Sequence, residues 1–209
     1  MTMGVSGETG EQALGDGVLL NAFRQGRTGE MIASELHGRY YEQTYRGRIY
    51  GGANQSGVTT TVGAATTYVG LCLSNPNGSP VNLVLNNIGY TFLVAFSAAS
   101  AIGVMVGYKV GTDVTHTTPV VPRGNKVGAP AGYGLLDSSA TLPIAPTVQT
   151  ILGAGLTGAI STIPETPGDL VDLEGSIILP PGAFAAFFTS TASGTSGALF
   201  SMQWEEVAI

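Results

Sequence analysis

The hydrophobic pattern is clearest near the C-terminus, where Phe200, Met202 and Trp204 alternate with Ser201, Gln203 and Glu205. A period of two with one apolar face predicts a strand that is buried on one side and wet on the other. Upstream, Ser176-Ile-Ile-Leu179 runs into Pro180-Pro181-Gly182 and then Phe184-Ala-Ala-Phe-Phe-Thr189. The prolines cannot donate to a ladder and so end the first run, and Gly182 supplies a turn. Phe184, Phe187, Phe200, Met202 and Trp204 are the expected core of these C-terminal strands. Val81, Leu83 and Leu85 alternate with Asn82 and Asn86, and Asn86-Asn87 separates them from Ile88 to Ala95, which predicts a hairpin. Apolar or β-branched runs at 58–62, 67–73, 102–108 and 114–121 predict further strands, with a turn at Asn75-Pro-Asn-Gly78. The Pro- and Gly-rich stretch 122–148 reads as a long excursion or two short elements, and Gly153 to Gly168 as a loop. Roughly eight to ten short strands punctuated by turns indicate an all-β, jelly-roll-like sandwich or barrel over 53–209.

The first 52 residues read as an extended N-terminal arm. Residues 1–18 are Gly-rich, acidic and without periodicity, so they are expected to be mobile unless a partner pins them. Over 19–37, Leu19, Leu20, Phe23, Met31, Ile32 and Leu36 could form an apolar stripe, but Gly26 and Gly29 interrupt it and leave only short helical pieces. Residues 38–52 interleave Tyr40, Tyr41, Tyr45 and Tyr50 with Arg39, Arg46 and Arg48.

Composition sharpens this division. Charged residues make up 11% of the chain, against about 25% in typical domains. That scarcity disfavours long surface helices and suggests that much of the surface is covered by something else. The net charge is −6, which argues against nucleic acid as the main partner. Five of the eight basic residues (Arg24, Arg27, Arg39, Arg46 and Arg48) lie in the first quarter, and only Lys109, Arg123 and Lys126 follow. Tyr and Arg are enriched in interface hot spots, so Arg39, Tyr40, Tyr41, Tyr45, Arg46, Arg48 and Tyr50 are the candidate docking residues. Arg beside aromatics can also grip phosphates and stack on bases, and the same segment could be an edge strand with ordinary exposed tyrosines.

Catalytic chemistry finds little support. Cys72 is the sole cysteine and sits in the apolar run Tyr68 to Leu73, where a buried small hydrophobe is expected. His37 and His116 are the only histidines, and neither has a local nucleophile signature. Gly153-Ala-Gly-Leu-Thr-Gly158 matches a dinucleotide fingerprint literally, but the following Pro164 leaves no helix for a pyrophosphate. Asp169, Asp172 and Glu174 are the only acidic cluster, with spacing unlike an EF-hand, and read as a solvated strand start. No catalytic residue, metal ligand or cofactor is assigned, and the expectation is a non-enzymatic protein. The N-terminus has no basic or apolar leader, and Phe92 to Tyr108, broken by Ser97, Ser100, Gly103 and Gly107, reads as two strands rather than a membrane span. A soluble protein made in the cytoplasm is expected.

The run Ser34-Glu-Leu-His-Gly-Arg-Tyr-Tyr-Glu-Gln-Thr-Tyr-Arg-Gly-Arg-Ile-Tyr50 resembles the arm of β-rich virion structural proteins of tailed bacteriophages. Gly175-Ser-Ile-Ile-Leu-Pro-Pro-Gly182 through Ser201-Met-Gln-Trp-Glu-Glu206 is similar to their C-terminal strands. The resemblance implies a jelly-roll-like domain that forms a homotrimer and sits on the capsid exterior as a cement or decoration protein. Its implied partners are further copies of itself and the major capsid protein, with no membrane, and it would be made in the host bacterial cytoplasm. The arm would reach across capsid subunits, and its removal at residue 52 would leave the β domain folded. Tail-fibre and tail-tip modules share this composition. A receptor- or glycan-binding reading would need an aromatic-and-acid pocket, near Tyr133 and Asp137 or near Tyr108 and Asp113.

Overall fold

The computed structural model describes residues 7–8, 23–24, 38–155 and 168–209. The chain divides into two compact units, Met1–Tyr41 and Glu42–Ile209. In the first, β1 (Gly7–Glu8) pairs in parallel with β2 (Phe23–Arg24). Residues 23–24 of the expected helical stretch are therefore extended, and the rest of 19–37 lies outside the described residues.

From residue 41 the elements are α1 (Tyr41–Tyr45), β3 (Ile49–Ala53), β4 (Thr67–Ser74), β5 (Val81–Phe92), β6 (Ser100–Tyr108), β7 (Thr115–Val120) and β8 (Arg123–Gly124). They continue with β9 (Leu135–Thr141), β10 (Thr147–Gly155), β11 (Gly168–Leu179), β12 (Ala183–Thr189) and β13 (Ala198–Ala208). The six-stranded sheet has the order β10-β6-β12-β4-β9-β7 and the five-stranded sheet β11-β5-β13-β3-β8. Setting aside β7, β8 and β9 and ranking the other eight strands along the chain gives sheets ordered 1-8-3-6 and 2-7-4-5. That is the double Greek key of a jelly roll, with β7 to β9 inserted between its fourth and fifth strands. The expected fold class holds.

The core lies between the sheets. Leu71 and Leu73, Leu83 and Leu85, Ile102 and Val104, Phe187, Phe200, Met202 and Trp204 meet there, all buried. Phe187 stacks on Phe200 at 4.3 Å and Phe92 meets Phe96 edge-on at 4.7 Å. Each fully buried large side chain of this kind contributes about 1.5–3 kcal/mol. A second apolar layer covers the outer face of the six-stranded sheet. Cys72, Met105, Phe184 and Ala186 point away from the central core and are covered by Val114 and Leu142. Both covering residues belong to connections, β6 to β7 (109–114) and β9 to β10 (142–146), that must cross the sheet because their strands are not neighbours. Phe184 is thus buried as expected, but in this outer layer.

Three expectations are corrected. Asn86-Asn87 is no hairpin: β5 runs continuously from Val81 to Phe92. Gln203 pairs with Asn87 while Trp204 pairs with Leu85, so Asn86 is an extra residue in a β-bulge. The bulge shifts the inward set from Leu83 and Leu85 to Ile88, Tyr90 and Phe92, which the alternation alone could not accommodate. The run 58–62 forms only an isolated bridge, Val58 to Ala198. The division at residue 52 also moves. β3 is the first strand of the jelly roll, paired with β13 through Ser201↔Ala53 to Glu205↔Ile49, so the described boundary is Tyr41/Glu42.

Candidate functional site

Tyr41 N–H donates to Gly38 O at 2.9 Å to open α1, and the helix closes when Gly47 adopts φ +72°. A left-handed residue just past a helix costs least as glycine. The bonds Gly47 N–H to Thr44 O at 3.0 Å and Arg48 N–H to Gln43 O at 2.9 Å satisfy the last carbonyls. The turn ejects the chain straight into β3. Arg46 and Arg48 remain exposed, and Arg46 pairs with Glu42 at 2.8 Å.

The β7–β9 insertion brings two more cations to this place. Asn125 N–H donates to Ile49 O at 2.8 Å, and β8 pairs with β3 through Tyr50↔Gly124 and Gly51↔Arg123. Lys126 Nζ donates to Tyr45 O at 3.0 Å and lies 4.8 Å above the Tyr45 ring. Val127 is 96% exposed, Tyr45 62% and Tyr133 53%. The loop that presents Tyr133 is tied down by the buried Glu206 carboxylate. Its Oε1 accepts from Tyr133 N at 2.7 Å, Gly134 N at 2.9 Å and Trp204 Nε1 at 3.4 Å. A Cβ at Gly134 would sit 2.8 Å from the indole nitrogen, so only glycine lets the loop approach. Arg46, Arg48, Arg123 and Lys126, interleaved with Tyr45, Val127 and Tyr133, therefore share the β3–β8 edge of the five-stranded sheet. The fifth cation of Glu42–Ile209, Lys109, lies elsewhere, just after β6. Beside Arg48, Glu205 has a raised pKa, because burial outweighs the attraction of the guanidinium.

Of the seven expected docking residues, Tyr45, Arg46 and Arg48 lie on this edge. Arg39, Tyr40 and Tyr41 belong to the first unit, where the Arg39 guanidinium lies 5.2 Å over the Tyr40 ring and Tyr41 is exposed. Tyr50 is no surface anchor: it is a core residue stacked on Trp204 at 6.3 Å. Its phenol pKa is raised by burial first and by Glu206 second. The sequence does not reveal Arg123 and Lys126 as part of this edge, which the pairing of β3 with β8 brings there, or Tyr133, whose loop is held by Glu206.

The titratable groups elsewhere are structural in setting. Asp137 is fully buried, its Oδ2 against His116 Nδ1, and its Oδ1 has no hydrogen-bond partner. Burial raises the Asp137 pKa and the histidine contact partly offsets this. The pair joins β7 to β9 across 21 positions of sequence. Cys72 is buried, and desolvation, aided by Asp137, raises its thiol pKa. Among the described residues no group of three or more His, Cys, Asp or Glu gathers as for a metal. Asp169 and Asp172 instead accept backbone bonds from Leu170 and Glu174 on β11. Gly153 and Gly155 pair with β6, and Leu156 to Gly158 lie outside the described residues. No described helix is long and apolar enough to cross a membrane. Tyr133 and Asp137 do not make an exposed pocket, since Asp137 is buried. Tyr108 lines an open cleft of about 490 Å³ with Thr147, Gln149 and Ser176, whereas Asp113 lines a separate one with His116. Compared with protein-family models, curated proteins and solved structures, the chain matches none.

Proposed function

We propose that this chain is a non-enzymatic virion structural protein of a tailed bacteriophage, a homotrimeric cement protein that binds the outside of the head and bridges neighbouring major-capsid subunits. The observation that carries the reading is the segregation of charge. Four of the five cations of Glu42–Ile209 meet exposed Tyr45, Val127 and Tyr133 on one edge of an acidic, charge-poor jelly roll. Cations and tyrosines fixed by a helix, a β-ladder and a buried carboxylate lose little freedom on docking, so contact area there converts efficiently into affinity. A cement protein needs no chemistry beyond such burial, spread over about 800 Å² per partner for a stable seam.

The test is cosedimentation of the full chain with capsids of its phage assembled without it. Replacing Arg48, Arg123 and Lys126 together by Ala should weaken binding at least tenfold and leave the far-ultraviolet dichroism unchanged. Undiminished binding by the triple variant would refute the docking edge. A second reading, a receptor- or glycan-binding module of a tail fibre, is favoured by the Tyr108 cleft, where an exposed ring stands beside Thr147, Gln149 and Ser176. Binding to a glycan array that Tyr108→Ala abolishes would select it.

A further inference from the structure

The five-stranded sheet ends on one side at β3–β8 and on the other at β11. Among the described residues β11 pairs only with β5, so its outer backbone edge faces away from the sheet. This strand carries exposed Asp169, Asp172 and Glu174 and no cation. Leu170 and Ile178 stand between and beyond these acids, 67% and 55% exposed. The opposite edge carries Arg46, Arg48, Arg123 and Lys126 around Tyr45, Val127 and Tyr133. The β11 edge carries only acids, whereas on the β3–β8 edge four cations outnumber the two acids beside them, Glu42 on Arg46 and Glu205 beside Arg48, so the edges differ in net sign. An exposed twelve-residue edge strand such as β11 is a hazard for a monomer, and the cations and exposed Tyr45, Val127 and Tyr133 around the two-residue β8 offer it a complement of opposite net charge.

We propose that copies of this chain associate head to tail, the acidic β11 edge of one seated on the basic β3–β8 edge of the next. A contact between two different patches is heterologous. Repeated by a rotation it closes a ring, whereas a two-fold dimer would bring like charges together. Such a contact supplies the trimer of the proposed function, on which this inference rests, with a symmetry and with named faces. In that ring the contact occupies the β3–β8 edge, so the face offered to a capsid would be formed where two copies meet.

The test measures absolute mass by light scattering after size exclusion, and capsid cosedimentation of the same samples. The full chain should elute at three chains in low salt and lose mass towards one chain as salt is raised to about 1 M, since surface charge pairs are then screened. Asp169→Lys with Glu174→Lys reverses one edge, and Arg123→Glu with Lys126→Glu reverses the other. Either pair alone should give a threefold drop in mass, and all four together should restore the trimer, because the complementary edges have only been exchanged. A salt-insensitive wild-type trimer, or single-edge variants of unchanged mass, overturns the head-to-tail contact. Unchanged mass with lost cosedimentation would show that the edges meet the capsid rather than a second copy. Unchanged mass and binding refute the edge contact alone, whereas a wild-type chain that never binds capsids refutes the cement reading.

Discussion

Removing residues 1–41 and removing residues 1–52 should have very different consequences. The shorter deletion ends at the boundary of the compact unit Glu42–Ile209. The longer one deletes Ile49 and Tyr50, which are buried, and most of the ladder that β3 forms with β13. Burial of the two side chains is worth about 3–6 kcal/mol together. The ladder hydrogen bonds, about 1 kcal/mol each, and the entropy of ordering that backbone, about 1–2 kcal/mol per residue, roughly offset one another. The net loss of about 3–6 kcal/mol is a large part of a typical total of roughly 5–15 kcal/mol. With a urea dependence of about 2 kcal/mol/M, the unfolding midpoint should fall by about 1.5–3 M. Trp204, the only tryptophan, stacks on Tyr50 and reports the event through its fluorescence. Equal midpoints for the two truncations would refute the placement of β3 as an integral strand. The comparison also decides which deletion is a fair assay of capsid binding, because only the shorter one keeps Tyr45, Arg46 and Arg48 on a folded edge.

Cys72 should resist thiol reagents in the native protein and react fully in denaturant, since it is buried and its thiol pKa is raised; prompt native labelling would contradict the cover formed by the β6–β7 and β9–β10 connections. Phe184→Ala should cost about 3–5 kcal/mol, as in a central core, and a loss below about 1 kcal/mol in urea unfolding would show that the outer layer is loose. For Asp137, burial raises the folded-state pKa above the ordinary value near 4. Its contribution is therefore most favourable below that value and declines as pH rises towards the folded one. Asp137→Asn should gain stability relative to wild type as pH rises above the ordinary carboxylate value of about 4, and a difference that stays constant as pH rises would refute the assignment. Gly134→Ala should lower the melting temperature by several degrees, because its methyl would meet the Trp204 indole.

Strand character was legible wherever one face is buried and the other wet. The stretch 200–205 reads directly as part of β13, and 184–189 as β12. The alternation failed at Asn86 because two asparagines look like a turn when read locally. Only the pairing of β5 with β13 shows that one is an extra residue absorbed by a bulge. Phe184 illustrates a second limit. Period two says that Phe184 and Phe187 face opposite ways, but not that both faces are covered, since the cover comes from connections distant in sequence. Tyr50 looks like an anchor in the sequence because its neighbours are Arg and Tyr; its burial follows from stacking on Trp204, 154 positions later in the chain.

The docking edge was half legible for the same reason. Arg46 and Arg48 stand out in the sequence because cations cluster there, whereas Arg123 and Lys126 look like scattered residues of a Pro- and Gly-rich excursion. That excursion is the insertion between the fourth and fifth jelly-roll strands, and β8 within it pairs with the first. The topology thus converts a separation of more than 70 positions into a hydrogen-bonded neighbour and concentrates charge that the chain otherwise lacks. β11, the sixth jelly-roll strand, carries its acids at the far side of the same sheet, three strands away from β3. At about 4.8 Å per strand spacing, roughly 14 Å separates β11 from β3, more than the Debye length of about 8 Å in physiological salt. The two fields therefore do not cancel within one copy. Each stays available to attract its complement on another molecule, which is the electrostatic condition for an assembly built from one repeated contact.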